Sequence, residues 1–242
     1  GLACYRKAGI NRISMGLQSG DNRELAAMGR IHTWQQFLES FRAAREVGFG
    51  NINVDIMSAL PGQTLSGYRH TLEKVLALEV PPEHISAYSL ILEEGTPFYE
   101  MAERGELEFP DEETDRRMYQ ETKRILVSHG YTRYEISNYA KPGYACRHNC
   151  GYWQRKNYAG FGIGAASLVE NVRFCNGRDL KTYLDRPLEC GEDMEVLSRQ
   201  EQMEEFMFLG LRMTEGVSCE AFAQLFGCSL EAVYGDVIRK NV

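Results

Sequence analysis

Residues 51–64, NINVDIMSALPGQT, constrain the fold more than any other stretch. Positions 51–57 alternate and carry β-branched Ile52, Val54 and Ile56. The run has the length of a strand and is too short for a helix. Asp55 sits near its C-terminal end, where a carboxylate is costly unless it is solvated, paired or bound. Leu60-Pro61-Gly62-Gln63-Thr64 then breaks the chain, and Thr64 is placed to cap the next helix. A strand that delivers a carboxylate to its mouth, turns and starts a helix is the ligand-binding corner of β/α folds.

The surrounding sequence repeats this unit. Residues 11–17, NRISMGL, predict a strand followed by Gln18, and residues 84–92, HISAYSLIL, predict another. Between them lie a short helix over 21–28 capped by Asp21 and a longer one over 33–47 ended by Gly48. A third helix over 64–78 places Tyr68, Leu72, Val75 and Leu76 on one side, as a helix lying on a sheet does. The strand ends at Gln18, Asp55 and Ile91 are 37 and 36 residues apart. That steady interval is the pattern of parallel βαβ units. Three strands alone close poorly. With Gly1 at one end and an uncapped 238–242 at the other, the expectation is a piece of a longer protein.

Net charge is −7, which gives a nucleic-acid role no electrostatic support. No apolar run is long enough to span a bilayer, and no signal peptide opens the chain. The seven cysteines, Cys190 among them, are irregularly spaced and odd in number, which argues against a disulfide framework and for a reducing, cytoplasmic setting.

Beyond residue 95 the pattern changes. A turn and short helix over 95–105 precede a charged helix over 111–129 and a strand over 131–136; residues 137–159 read as irregular and aromatic-rich, and 172–175 as a short strand. Ser198-Arg199-Gln200-Glu201 is a capping box, followed by an apolar face of Met203, Phe206, Met207, Leu209 and Leu211. Short helices over 217–226 and 229–238 complete a winged-helix outline, which the negative charge makes a packing domain rather than a DNA reader.

Three constellations carry chemistry. Asp55 with Gln18 and Arg30 is either a structural Asp–Arg pair or a nucleoside site, with ribose hydroxyls on Asp and Gln and a carboxylate on Arg. Cys146-Arg147-His148-Asn149-Cys150-Gly151-Tyr152-Trp153 resembles a C-x3-C-x2-C cluster motif, but Trp153 stands where the third cysteine would be, so a cluster is rejected. His148 then remains among Tyr144, Tyr152, Trp153 and Tyr158, as a buried structural histidine or as an axial ligand to haem. Gly160-Phe161-Gly162-Ile163-Gly164-Ala165-Ala166 lacks the lysine of a phosphate loop, and close backbone packing explains it better.

Taken together, NRISMGLQSGDNRELAAMGRIHT, NINVDIMSALPGQT, HISAYSLILEEGTPFY, YEISNYAKPGYACRHNCGYW and FGIGAASL resemble the radical-SAM proteins of the oxygen-independent coproporphyrinogen III oxidase-like family. His148-Asn149-Cys150-Gly151-Tyr152-Trp153 matches the H-N-x-x-Y-W signature of its haem chaperone (HemW-type) branch. The resemblance implies an α/β fold: the later strands of a partial, TIM-like β/α barrel over 1–135, a connecting region with a haem contact over 136–195, and a small, truncated, mainly helical domain over 196–242. It implies that Gln18 and Asp55 face the ribose of S-adenosylmethionine, Arg30 its methionine carboxylate and Ile91 its adenine, with His148 as the haem contact.

The parent would bind S-adenosylmethionine, a [4Fe–4S] cluster and haem, pass haem to an acceptor protein, and associate with membranes at most peripherally. The alternatives are a coproporphyrinogen III oxidase and a haem-binding module without radical chemistry. The family's cluster cysteines have no match here, so their ligands are expected outside this chain. Where relatives read G-x-G-A-H-S, Ala166 replaces the histidine.

Overall fold

The computed structural model describes residues 1–186 and 191–241; Cys190 and Val242 lie outside the described residues. Two compact units, residues 1–145 and 146–242, divide the chain.

The first unit opens with α1 (Leu2–Lys7) and then alternates strand and helix: β1 (Ile13–Gln18), α2 (Asn22–Ala27), α3 (Trp34–Glu46), β2 (Ile52–Ser58), α4 (Leu65–Leu76) and β3 (His84–Ser89). After these come α5 (Pro97–Glu103), α6 (Glu112–Ser128), β4 (Thr132–Arg133) and β5 (Asn138–Ala140). The sheet order is β1-β2-β3-β5-β4, with β1, β2 and β3 parallel and the last two strands antiparallel. This is the expected open, partial β/α barrel. The expected caps form: Asp21 accepts from Arg23 N, Thr64 from Gly67 N and Asp111 from Thr114 N. A further capping box, not expected, joins Thr33 and Gln36.

Alternation along the strands separates two faces. Ile52, Val54, Ile56 and Ile85 pack under Phe37 and Phe41 of α3, Tyr68 and Leu72 of α4, and Met118 and Leu126 of α6. Each such side chain contributes roughly 1.5–3 kcal/mol by leaving water. A 2.6 Å bond between the Tyr68 and Thr122 hydroxyls ties α4 to α6. The opposite face carries Ser14, Gly16, Asn53, Asp55, His84, Ser86 and Tyr88 and becomes the candidate site.

The second unit holds α7 (Arg147–Trp153), β6 (Ala166–Val169), β7 (Val172–Asn176), α8 (Leu180–Asp185), β8 (Gly191–Val196), α9 (Arg199–Gly210), α10 (Cys219–Phe226) and α11 (Leu230–Asn241). Strands β6, β7 and β8 form an antiparallel sheet, and Phe222, Phe226 and Leu230 centre a helical core with Met203, Phe206 and Met207. The capping box at Ser198 and Glu201 is present.

Several expectations are corrected. The third strand stops at Ser89, so Ile91 lies beyond it. The strand over 131–136 shrinks to Thr132–Arg133, and the stretch read as irregular contains β5 and α7. Leu211, expected in the apolar face of α9, is exposed, and Glu205 is buried on that helix instead.

Candidate functional site

The backbone is unusual where β1 and β2 end. Gln18 and Ala59 have φ of 65° and 57°, and the β1–β2 register slips between Gly16 and Gln18. Non-glycine residues with positive φ are uncommon and cluster at ligand-holding sites. The bulge turns the Gln18 side chain back over Gly16, where a Cβ would lie 2.8 Å from Gln18 Nε2. Only glycine leaves that space. Gln18 Oε1 is buried and, among the described residues, without a hydrogen-bond partner.

Asp55 stands opposite Gly16 of β1 and Ser86 of β3. Its Oδ1 accepts from Asn53 Nδ2 at 2.7 Å, and its Oδ2 accepts from Ser14 Oγ at 3.3 Å. Arg30 is exposed and makes no ion pair with it among the described residues, so the structural Asp–Arg pair does not form. Tyr88 links the groups: burial pushes its phenol up, the Asp55 carboxylate adds to this, and the nearby Gln18 amide and Arg30 guanidinium oppose it. Arg30, Met28, Met57, Leu90, Ile91 and Phe98 line a cleft of ≈ 220 Å³, and Ile91 is 79% exposed.

The loops at this mouth are braced. Ser19 Oγ donates to Glu24 Oε2 at 2.5 Å and Gln63 Nε2 donates to the same oxygen at 2.9 Å, so the β1–α2 loop and the Pro61-Gly62 turn share one carboxylate. Gly20 N donates to Thr71 Oγ1 of α4 at 3.0 Å.

Asn53, Ser86, His84 and Tyr88 were not singled out from sequence. The signal was there in N-I-N-V-D and H-I-S-A-Y-S, whose alternate polar residues share one face of adjacent strands. His84 is fully buried and its pKa is lowered to about 3, by burial first and by the Arg12 charge second.

In the second unit, His148 is exposed, which corrects the reading of a buried histidine. Its ring meets Tyr152 edge-on at 4.7 Å, and Tyr152 meets Tyr158 at 4.6 Å. Neither His148 nitrogen has a hydrogen-bond partner among the described residues. Trp153 is not part of this wall: it lies under Arg212, 4.3 Å from guanidinium to ring, and lines a ≈ 390 Å³ cavity with Phe206, Val217 and Leu225. Tyr144 belongs to the first unit. Cys146 is buried at the start of α7, and none of the six described cysteines is in a disulfide. Among the described residues no three His, Cys, Asp or Glu side chains converge as a metal site, and no helix is long and apolar enough to cross a membrane.

The glycine run packs closely, as expected. A Cβ on Gly160 would collide with Ala166 O and lie 2.9 Å from Ala165 C. Asn176 Nδ2 donates to the carbonyls of Gly160 and Gly162 at 3.2 and 2.8 Å.

The chain matches the Radical SAM superfamily over residues 2–75 and the HemN C-terminal domain over 197–241. It is 40% identical to the heme chaperone HemW of Bacillus subtilis, over 98% of this chain and 63% of that protein. It is 41% identical to the heme chaperone HemW of Lactococcus lactis, over 96% and 61%. The chain thus spans about three fifths of the length of these curated relatives. Among solved structures, coproporphyrinogen III oxidase HemN from Escherichia coli, a radical SAM enzyme, shares the fold with a TM-score of 0.77 at 20% identity, over 98% of this chain and 58% of that one.

Proposed function

The chain belongs to the radical-SAM family of HemW-type haem chaperones and coproporphyrinogen III oxidase-like proteins, and from that membership we propose that it serves haem delivery, binding haem at α7 and S-adenosylmethionine at the strand mouths. The observation that carries the haem reading is His148 itself. A structural histidine is normally buried and hydrogen-bonded; this one is exposed, without a hydrogen-bond partner among the described residues, and set against Tyr152, which in turn meets Tyr158. Its ring nitrogens are open to iron.

At the strand mouths the residues fit an adenosine-bearing ligand. Asp55 Oδ2 and the orphaned Gln18 Oε1 are acceptors for ribose hydroxyls. Arg30 would take the methionine carboxylate, and Ile91 in the same cleft would cover the adenine. With a [4Fe–4S] cluster, the bound cofactor supplies radical chemistry in this family. In the whole protein the haem would pass to an acceptor, in the reducing cytoplasmic setting that the cysteine usage suggests.

The test is a haem titration of the full-length protein, followed by its Soret band. His148→Ala is expected to lose stable haem binding, and Cys146→Ser and Cys150→Ser to keep it. Loss in a cysteine variant with retention in His148→Ala overturns the assignment. Turnover of coproporphyrinogen III would instead favour the oxidase.

A further inference from the structure

We propose that His84 and Asn53 are positioning residues for Asp55: together they fix which carboxylate oxygen is left open to a ligand hydroxyl. The proposal deepens the adenosine reading of that site and rests on it.

The bonds form a directed chain. Asn53 Nδ2 lies 2.7 Å from Asp55 Oδ1 and 2.7 Å from Ser14 Oγ, which uses both amide hydrogens. Asn53 Oδ1 must therefore accept, and it faces His84 Nδ1 at 2.5 Å and Ser86 Oγ at 3.1 Å. His84 consequently carries its proton on Nδ1, so Nε2 is the acceptor for the Tyr134 hydroxyl at 2.8 Å. Every member donates toward the carboxylate.

This arrangement forbids the other orientation of the amide. A flipped Asn53 would turn its carbonyl on the Asp55 carboxylate and its NH2 on the His84 N–H. His84 could meet the flipped amide only by moving its proton to Nε2 and turning that N–H on the Tyr134 oxygen, and the Asn53 carbonyl would still face the Asp55 carboxylate. The amide, so held, pins Asp55 Oδ1. Oδ2 keeps only the longer 3.3 Å contact from Ser14, on the sheet face where Gln18 folds back over Gly16. Ser14, Asn53, Asp55, His84 and Ser86 all stand on paired strands, and Asn53 is opposite both Ser14 and His84. The site is therefore positioned by rigid backbone rather than by a loop.

The experiment is isothermal titration of the full-length protein with 5′-deoxyadenosine and with its 2′,3′-dideoxy counterpart. The readout is the ratio of the two affinities, which a general loss of stability does not change. The parent protein is expected to prefer the ribose form about tenfold or more, the value of one charge-assisted bond. Asp55→Ala should lower the ratio at least about threefold, with Gln18 Oε1 supporting what remains. Asn53→Ala and His84→Ala should lower it at least about threefold, and His84→Asn, which restores an N–H near the Nδ1 position, should recover it. Should His84→Ala fail to fold, Ser86→Ala removes the other donor to Asn53 Oδ1 and should lower the ratio too. If Asp55→Ala lowers the ratio while the Asn53 and His84 or Ser86 variants leave it unchanged, the proposal is wrong and the adenosine reading survives. If the parent shows no preference, or Asp55→Ala leaves the ratio unchanged, the adenosine reading falls and the proposal with it.

Discussion

Glu205 Oε2 accepts from Arg155 Nε at 2.8 Å, with the two side chains only 7% and 12% exposed. Arg173 Nη2 reaches the other Glu205 oxygen at 2.6 Å. One carboxylate thus joins α9 to β7 and to the segment after α7. Removing it leaves a buried guanidinium uncompensated. We expect Glu205→Ala to destabilise the protein by about 3 kcal/mol, the lower end for breaking a buried pair, because Arg173 is partly solvated. A urea unfolding midpoint checks this; a change under about 1 kcal/mol would make the triad an exposed-type pair.

Asp55→Ala should weaken S-adenosylmethionine binding by about 1.5–3 kcal/mol, the range for a hydrogen bond to a charged group. Melting should change little, since Asn53 keeps Ser14, Ser86 and His84 as partners. Unchanged affinity with a lowered melting point would return Asp55 to a structural role.

His84 makes stability depend on pH. Its folded pKa of about 3 lies below the ordinary 6.5. Between those values the unfolded chain binds a proton that the folded protein does not. Stability should therefore be complete above the ordinary value and fall as pH drops through it, by up to ~1.4 kcal/mol per unit, levelling near the folded pKa. His84→Asn should flatten the curve across pH 6.5 to 4. An identical slope in the variant would assign acid sensitivity to other groups.

Gly160→Ala should cost about 1–3 kcal/mol, because the added Cβ meets backbone that cannot rotate away. Inorganic phosphate should give no protection against heating in either protein. Phosphate protection lost in the variant would revive the phosphate-loop reading.

What was legible in the sequence was what local chemistry decides. Asp21, Thr64, Asp111 and Ser198 cap their helices through bonds spanning two or three residues. The parallel strands followed from their spacing, and Asp55 from its place at a strand mouth. Strand β5 was not legible, since it has three residues and exists only by pairing with β3 and β4. Nor was α7, which lacks a side-chain cap and begins at a buried cysteine. The His84–Asn53 contact joins residues 31 apart, so no local pattern states it. The alternation that placed both on one face was visible, but it was used only for its apolar half.

Helix α7 puts His148 and Tyr152 on one side and Trp153 on another, under Arg212. Five residues of helix rise only about 7.5 Å. The chain has two tryptophans, and one is thereby an optical reporter built beside the histidine. Haem seated at His148 would quench Trp153 emission by energy transfer, so occupancy can be followed by fluorescence without a label. A Trp34→Phe background would isolate that signal, turning the signature helix into its own binding assay.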